Sequence, residues 1–86
     1  MPKRASTKRL PLALRLERRG YPEPDDMRTG CKVSWLIYSK LADAEAASDA
    51  ALFNSQIAAS QGYDFGYCAP GSIETLKDGR YEVCIP

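Results

Sequence analysis

Residues 32–62 read KVSWLIYSKLADAEAASDAALFNSQIAASQG, and the hydrophobic period changes once inside that stretch. Val33, Trp35 and Ile37 alternate with Lys32, Ser34 and Leu36. A period of two puts alternate side chains on one face of a strand, so residues 32–38 are expected to be one. From Leu41 to Gln61 the pattern becomes helical. Leu41, Ala44, Ala47/Ser48, Ala51/Leu52, Ile57/Ala58 and Ala59 trace an apolar stripe, and alanine has the highest helix propensity. Ser39 suits the N-cap, Asp43 and Glu45 favour the positive end of the helix dipole, and Gly62 suits the stop. The small alanines would let this helix lie close to a sheet.

Downstream, Tyr63 to Cys68 is expected to form a short second strand, and Ala69-Pro70-Gly71 to turn the chain. Ile73 to Lys77 and Arg80 to Ile85 then read as a hairpin about Asp78-Gly79, a dipeptide that favours a type I′ turn. The order is β-α-β-β-β, or β-α-β-β if residues 63–68 are irregular. The fold class expected is α+β: a single helix packed on a small, mostly antiparallel sheet, preceded by a basic N-terminal arm. One sheet face lacks a second helix. Apolar side chains there would form a homodimer interface or bind a partner.

Upstream, residues 1–9 read as disordered. Residues 10–19 suit a short helix, with Pro11 in its first turn, Leu12 and Leu16 as i,i+4 partners, and Gly20 as its stop. Ten residues are too few for a stable isolated helix, so it forms against the body or a partner. Residues 21–30, with Tyr21-Pro22-Glu23-Pro24-Asp25-Asp26, read as an extended acidic linker. The expected organisation is therefore a basic arm (1–20), a linker (21–30) and a small α+β domain (31–86). A body that small buries little surface, so dimerisation or docking of the N-terminal segment is expected to support it.

Charge divides the chain at the same boundary. The formal net charge is +1. Residues 1–20 hold seven bases and one acid, a net +6, and residues 21–86 hold five bases and ten acids, a net −5. Lys3, Arg4, Lys8, Arg9, Arg15, Arg18 and Arg19 suit phosphate contacts, whose affinity comes from counterion release. The same segment read through Leu12 and Leu16 is a docking element for a protein partner. Read through composition alone, it is a solvating tail.

A second constellation is Gly62-Tyr63-Asp64-Phe65-Gly66-Tyr67. On a strand, Tyr63, Phe65 and Tyr67 share a face and would pack in a core or dimer interface, bind a partner, or stack bases. The run loosely resembles the aromatic signature of RNA-recognition motifs. It departs from that signature at Gln61, Asp64 and Gly66, lies on the wrong strand, and lacks that fold's second helix.

The chain contains no histidine, and Cys31, Cys68 and Cys84 are widely spaced. No metal site or cofactor is expected, and the thiols read as reduced, in keeping with a cytoplasmic protein. No pair of acid and base groups is set together by local spacing, so no catalytic residue is assigned and the chain is not expected to be an enzyme. No apolar run approaches a membrane span.

The strand-helix-hairpin order, with Gly62-Tyr63 after the helix and Gly79-Arg80-Tyr81-Glu82-Val83 near the end, is similar to half-ferredoxin folds and to sporulation-related peptidoglycan-binding repeats. The second helix those repeats require is missing. Residues 32–86, with Gly62 to Tyr67, Pro70-Gly71 and Tyr81-Glu82-Val83-Cys84-Ile85-Pro86, also resemble small proteins encoded by actinobacterial phages. That resemblance implies an accessory protein acting on a host or phage component. The expected function is a non-enzymatic binding module whose arm contacts nucleic acid or a nucleoprotein. The alternative is a protein–protein module that modulates a host protein through its open sheet face.

Overall fold

The computed structural model of the chain describes residues 16–66 and 69–86. Its elements are β1 (Asp26–Thr29), β2 (Ser34–Tyr38), the twenty-residue helix α1 (Leu41–Ser60), β3 (Ile73–Thr75) and β4 (Tyr81–Ile85). The four strands form one antiparallel sheet in the order β1-β2-β4-β3. Helix α1 lies on one face, as the alternating pattern and the alanine-rich stripe predict.

The register sorts the side chains. Met27, Leu36 and Val83 stand in one row, and Tyr38 is paired with Tyr81. These residues pack with Ile85 against Ala44, Ala47 and Ala51 of α1. The three alanines are fully buried. They bring the helix backbone close to β4, and Leu36, Tyr38 and Val83 fill the space beneath it. Only these alanines of the predicted stripe are buried. Leu41, Leu52 and Ile57 stay about half exposed, since a helix on a sheet this narrow overhangs it.

β1 lies inside the segment read as a solvated linker. Its residues, Asp-Met-Arg-Thr, have one apolar side chain, and its partner supplies the ladder: Asp26 faces Ile37 and Thr29 faces Ser34. An edge strand needs only backbone pairing on one side and can be polar on its outer face. Residues 16–22 are also part of the body. Leu16 is 4 % exposed and Tyr21 3 % exposed, both within the central cluster. Tyr38 donates its hydroxyl proton to the Pro22 carbonyl at 2.7 Å. This docking provides the expected support for a small core. It also extends the folded unit well before residue 31.

Three local expectations change. Tyr63 to Gly66 is irregular rather than a strand. Lys40, not Ser39, precedes the helix, and it makes no side-chain cap. The Ser39 backbone N–H and hydroxyl instead donate to the Asp25 carboxylate, which ties the helix entry to the start of β1. The hairpin turn is not type I′, because Asp78 has an ordinary φ and only Gly79 is positive, at 90°. Gly79 N–H donates to the Leu76 carbonyl and Leu76 N–H to the Arg80 carbonyl. That pattern is a type I turn followed by a left-handed glycine bulge.

The face away from α1 is mixed: Trp35 and the buried Ile37 and Cys84 share it with Asp26, Arg28, Glu74 and Glu82. Arg28 reaches across β2, 4.7 Å above the Trp35 ring, to pair with Glu82 at 2.7 Å. Asp26, Glu82 and Glu74 stand in one cross-strand row with Ile37.

Candidate binding groove

The site the geometry singles out lies at the end of α1. Gly62 has φ +87°. Its N–H donates to the Ala59 carbonyl, and the Tyr63 N–H reaches back to the Ala58 carbonyl at 3.0 Å. This is a Schellman stop, in which the second residue past the cap folds its side chain back toward the last turn. It explains why Tyr63 leaves the strand direction that its alternation with Phe65 suggests. The Tyr63 hydroxyl donates to the Lys32 carbonyl at the tip of the β1–β2 hairpin, at 3.0 Å. The Phe65 ring sits beside it, with centroids 4.8 Å apart and planes tilted by 40°. The Gly66 N–H donates to the Asp64 carboxylate at 2.9 Å, which curls the loop and engages that charge locally.

Between this loop, the last turn of α1 and Pro86 lies an open groove of about 320 Å³. Ile57, Ala58, Tyr63, Phe65 and Pro86 give it apolar walls, and Arg19, Asn54 and Gln61 are its polar lining. Arg19 donates to the Pro86 carbonyl at 2.7 Å and lies 5.2 Å above the Tyr21 ring. The Asn54 side-chain NH₂ donates to the Arg19 carbonyl and to the Tyr21 hydroxyl, each at 3.0 Å. Burial pushes the Tyr21 phenol above its ordinary range, and the bond from Asn54 acts in the opposite direction. The polar wall is thus held in place from behind by the buried Tyr21. No Asp, Glu or Cys side chain lines the groove among the described residues. No group of three or more His, Cys, Asp or Glu side chains could hold a metal ion there either. Flat apolar walls with a fixed cation suit the binding of a planar group.

The residues expected to bind nucleic acid or a partner fall into four sets. Lys3, Arg4, Lys8, Arg9, Leu12, Arg15 and Tyr67 lie outside the described residues. Arg18 and Arg19 are exposed on the turn that precedes Gly20. Leu16 is buried in the chain's own core and is not available to a partner. Tyr63 and Phe65 come together, but in the loop after α1 rather than on the sheet face. Asn54, Ile57 and Pro86 were not expected in the site. The usable sequence signal was Gly62, which as a Schellman glycine returns the following aromatic to the helix end.

Among the described residues, no helix is long and apolar enough to cross a membrane. No protein-family model matches the chain, and no curated protein or solved structure is significantly similar to it.

Proposed function

We propose that the chain is a non-enzymatic nucleic-acid-binding module whose phosphate contacts come from its first twenty residues. The observation that carries this reading is the partition of charge, a net +6 over residues 1–20 against −5 over the remainder. Arg18 and Arg19 stand exposed where that segment meets the body, so the basic stretch continues onto the folded surface. Like-charge repulsion turns the acidic body away from a polyanion, and the basic segment faces it.

The test is a salt titration of binding to single-stranded and duplex DNA and RNA. The full chain is compared with a variant carrying Lys3, Arg4, Lys8 and Arg9→Ala. Charge substitution is preferable to truncation because Leu16 and Tyr21 belong to the core. The expected result is weaker binding and a flatter dependence of log K on log salt, by roughly 0.7–0.9 for each phosphate no longer neutralised. Unchanged affinity and slope would overturn the reading.

A protein partner is the second reading. It is favoured by Phe53, 64 % exposed, and Ile57, 45 % exposed, which stand one turn apart on α1. It relocates the expected partner surface from the sheet face to the flank of the helix. Binding driven by that apolar pair would change little with salt, and Phe53→Ala would abolish it.

A further inference from the structure

We propose that the groove at the end of α1 holds an unpaired nucleobase, so that the chain selects single-stranded over duplex nucleic acid. This rests on the nucleic-acid reading above and adds to it a contact independent of charge.

The walls support it first. Tyr63 is 47 % exposed and Phe65 only partly buried, so neither ring is absorbed by the core. The bond from the Tyr63 hydroxyl to Lys32 fixes that ring without covering it. Stacking on aromatic side chains is sequence-tolerant, because every base has a π-face. Size points the same way. About 320 Å³ is at the small end of ligand sites, which run from about 300 to 1,000 Å³. It admits one planar group, whereas a helical peptide needs a groove several turns long.

Charge supplies the third support. Arg19 lines the groove, Arg18 is exposed beside it in sequence, and the basic segment runs on from both. A strand whose base entered the groove would place its phosphates against cations. The acid nearest in sequence, Asp64, is already hydrogen-bonded within its own loop. Paired, stacked bases cannot reach such a groove, so only single strands or unpaired positions would use it.

The experiment uses the full chain and fluorescence anisotropy with three labelled probes: a short single strand, an abasic strand of the same phosphate count, and a hairpin duplex, each as DNA and as RNA. The paired variant is Tyr63→Leu with Phe65→Leu, which keeps apolar bulk and removes the π-faces. A urea midpoint checks that it is folded. The expected result is a base-bearing strand bound about tenfold more tightly than the abasic one. The leucine variant should erase that preference while leaving abasic affinity and salt slope unchanged. Comparing the DNA and RNA probes shows which sugar is preferred. Equal binding of base-bearing and abasic strands would overturn the groove inference. If Lys3, Arg4, Lys8 and Arg9→Ala still weakened both, the phosphate reading would survive. A base preference that persisted when those substitutions changed nothing would keep the groove and remove the arm.

Discussion

Leu16–Tyr21 and Ala58–Tyr63 are the same local structure in two environments. Each ends a helical turn with a glycine at positive φ, Gly20 at 90° and Gly62 at 87°. In each, the glycine N–H returns to the carbonyl three residues back, and the following tyrosine N–H returns to the one five residues back. The first corner turns inward. Leu16 and Tyr21 pack under the helix, and the Tyr21 hydroxyl meets Asn54. The second turns outward and leaves Tyr63 at the rim of a groove. Backbone chemistry alone therefore does not decide whether an aromatic at such a corner stabilises the fold or remains available to a ligand. What decides it is whether the sheet lies beneath the corner or beyond it.

The largest difference should appear in stability. Leu16→Ala removes a buried side chain and should cost about 2–5 kcal/mol. Ile57→Ala, at the exposed corner, should cost about 1 kcal/mol or less. Equilibrium urea unfolding of both variants checks this, and equal costs would break the contrast.

The glycines sharpen it. A Cβ at Gly62 would meet nothing within 4 Å, and one at Gly20 would meet the Ala50 Cβ at an ordinary 3.4 Å. The penalty at both is then backbone strain alone, about 1–2 kcal/mol each for Gly→Ala. Similar urea shifts would confirm a shared local motif. A much larger loss at Gly20 would show that its surroundings are tighter than that spacing implies.

Alkaline pH acts on the buried corner. Burial raises the phenols of Tyr21 and Tyr38, with Asp43 adding to the second effect. A group with a raised folded pKa contributes stability that is fully present below its unfolded value. That stability is lost as pH rises through the folded value. Unfolding free energy should therefore hold up to about pH 10 and fall above it. Tyr21→Phe should flatten that fall, as followed by circular dichroism between pH 8 and 12.

The smallest effect expected is at Asp25, whose fully exposed carboxyl is held below its ordinary value by the hydroxyl and backbone N–H of Ser39. Its contribution is present at neutral pH and disappears as acid protonates it, so Asp25→Asn should slightly flatten the acid limb of the stability curve. An unchanged limb would show that the tie from β1 to the helix entry adds no stability.

The strand at 34–38, the long helix and the hairpin were legible because their apolar periods are local. Asp26–Thr29 was not, since its place in the sheet depends on backbone pairing with β2, and three of its four side chains are polar. Tyr21 was hidden by its neighbours: two prolines and three acids mark a solvated segment, and one ring overrules them by entering the core. Tyr63 and Phe65 were legible as an aromatic pair but not as to place. Their alternation fits a strand, and only the Gly62 stop redirects them.

The most direct test crosses the two corners. Leu16→Ala and the Tyr63→Leu, Phe65→Leu variant are each measured for urea midpoint and for affinity to a base-bearing single strand, in buffer where both are folded. The first should lose stability and keep affinity, and the second should keep stability and lose affinity. If the leucine variant bound the strand as tightly as the unaltered chain, or unfolded as readily as Leu16→Ala, the division between a structural and a functional corner would be contradicted.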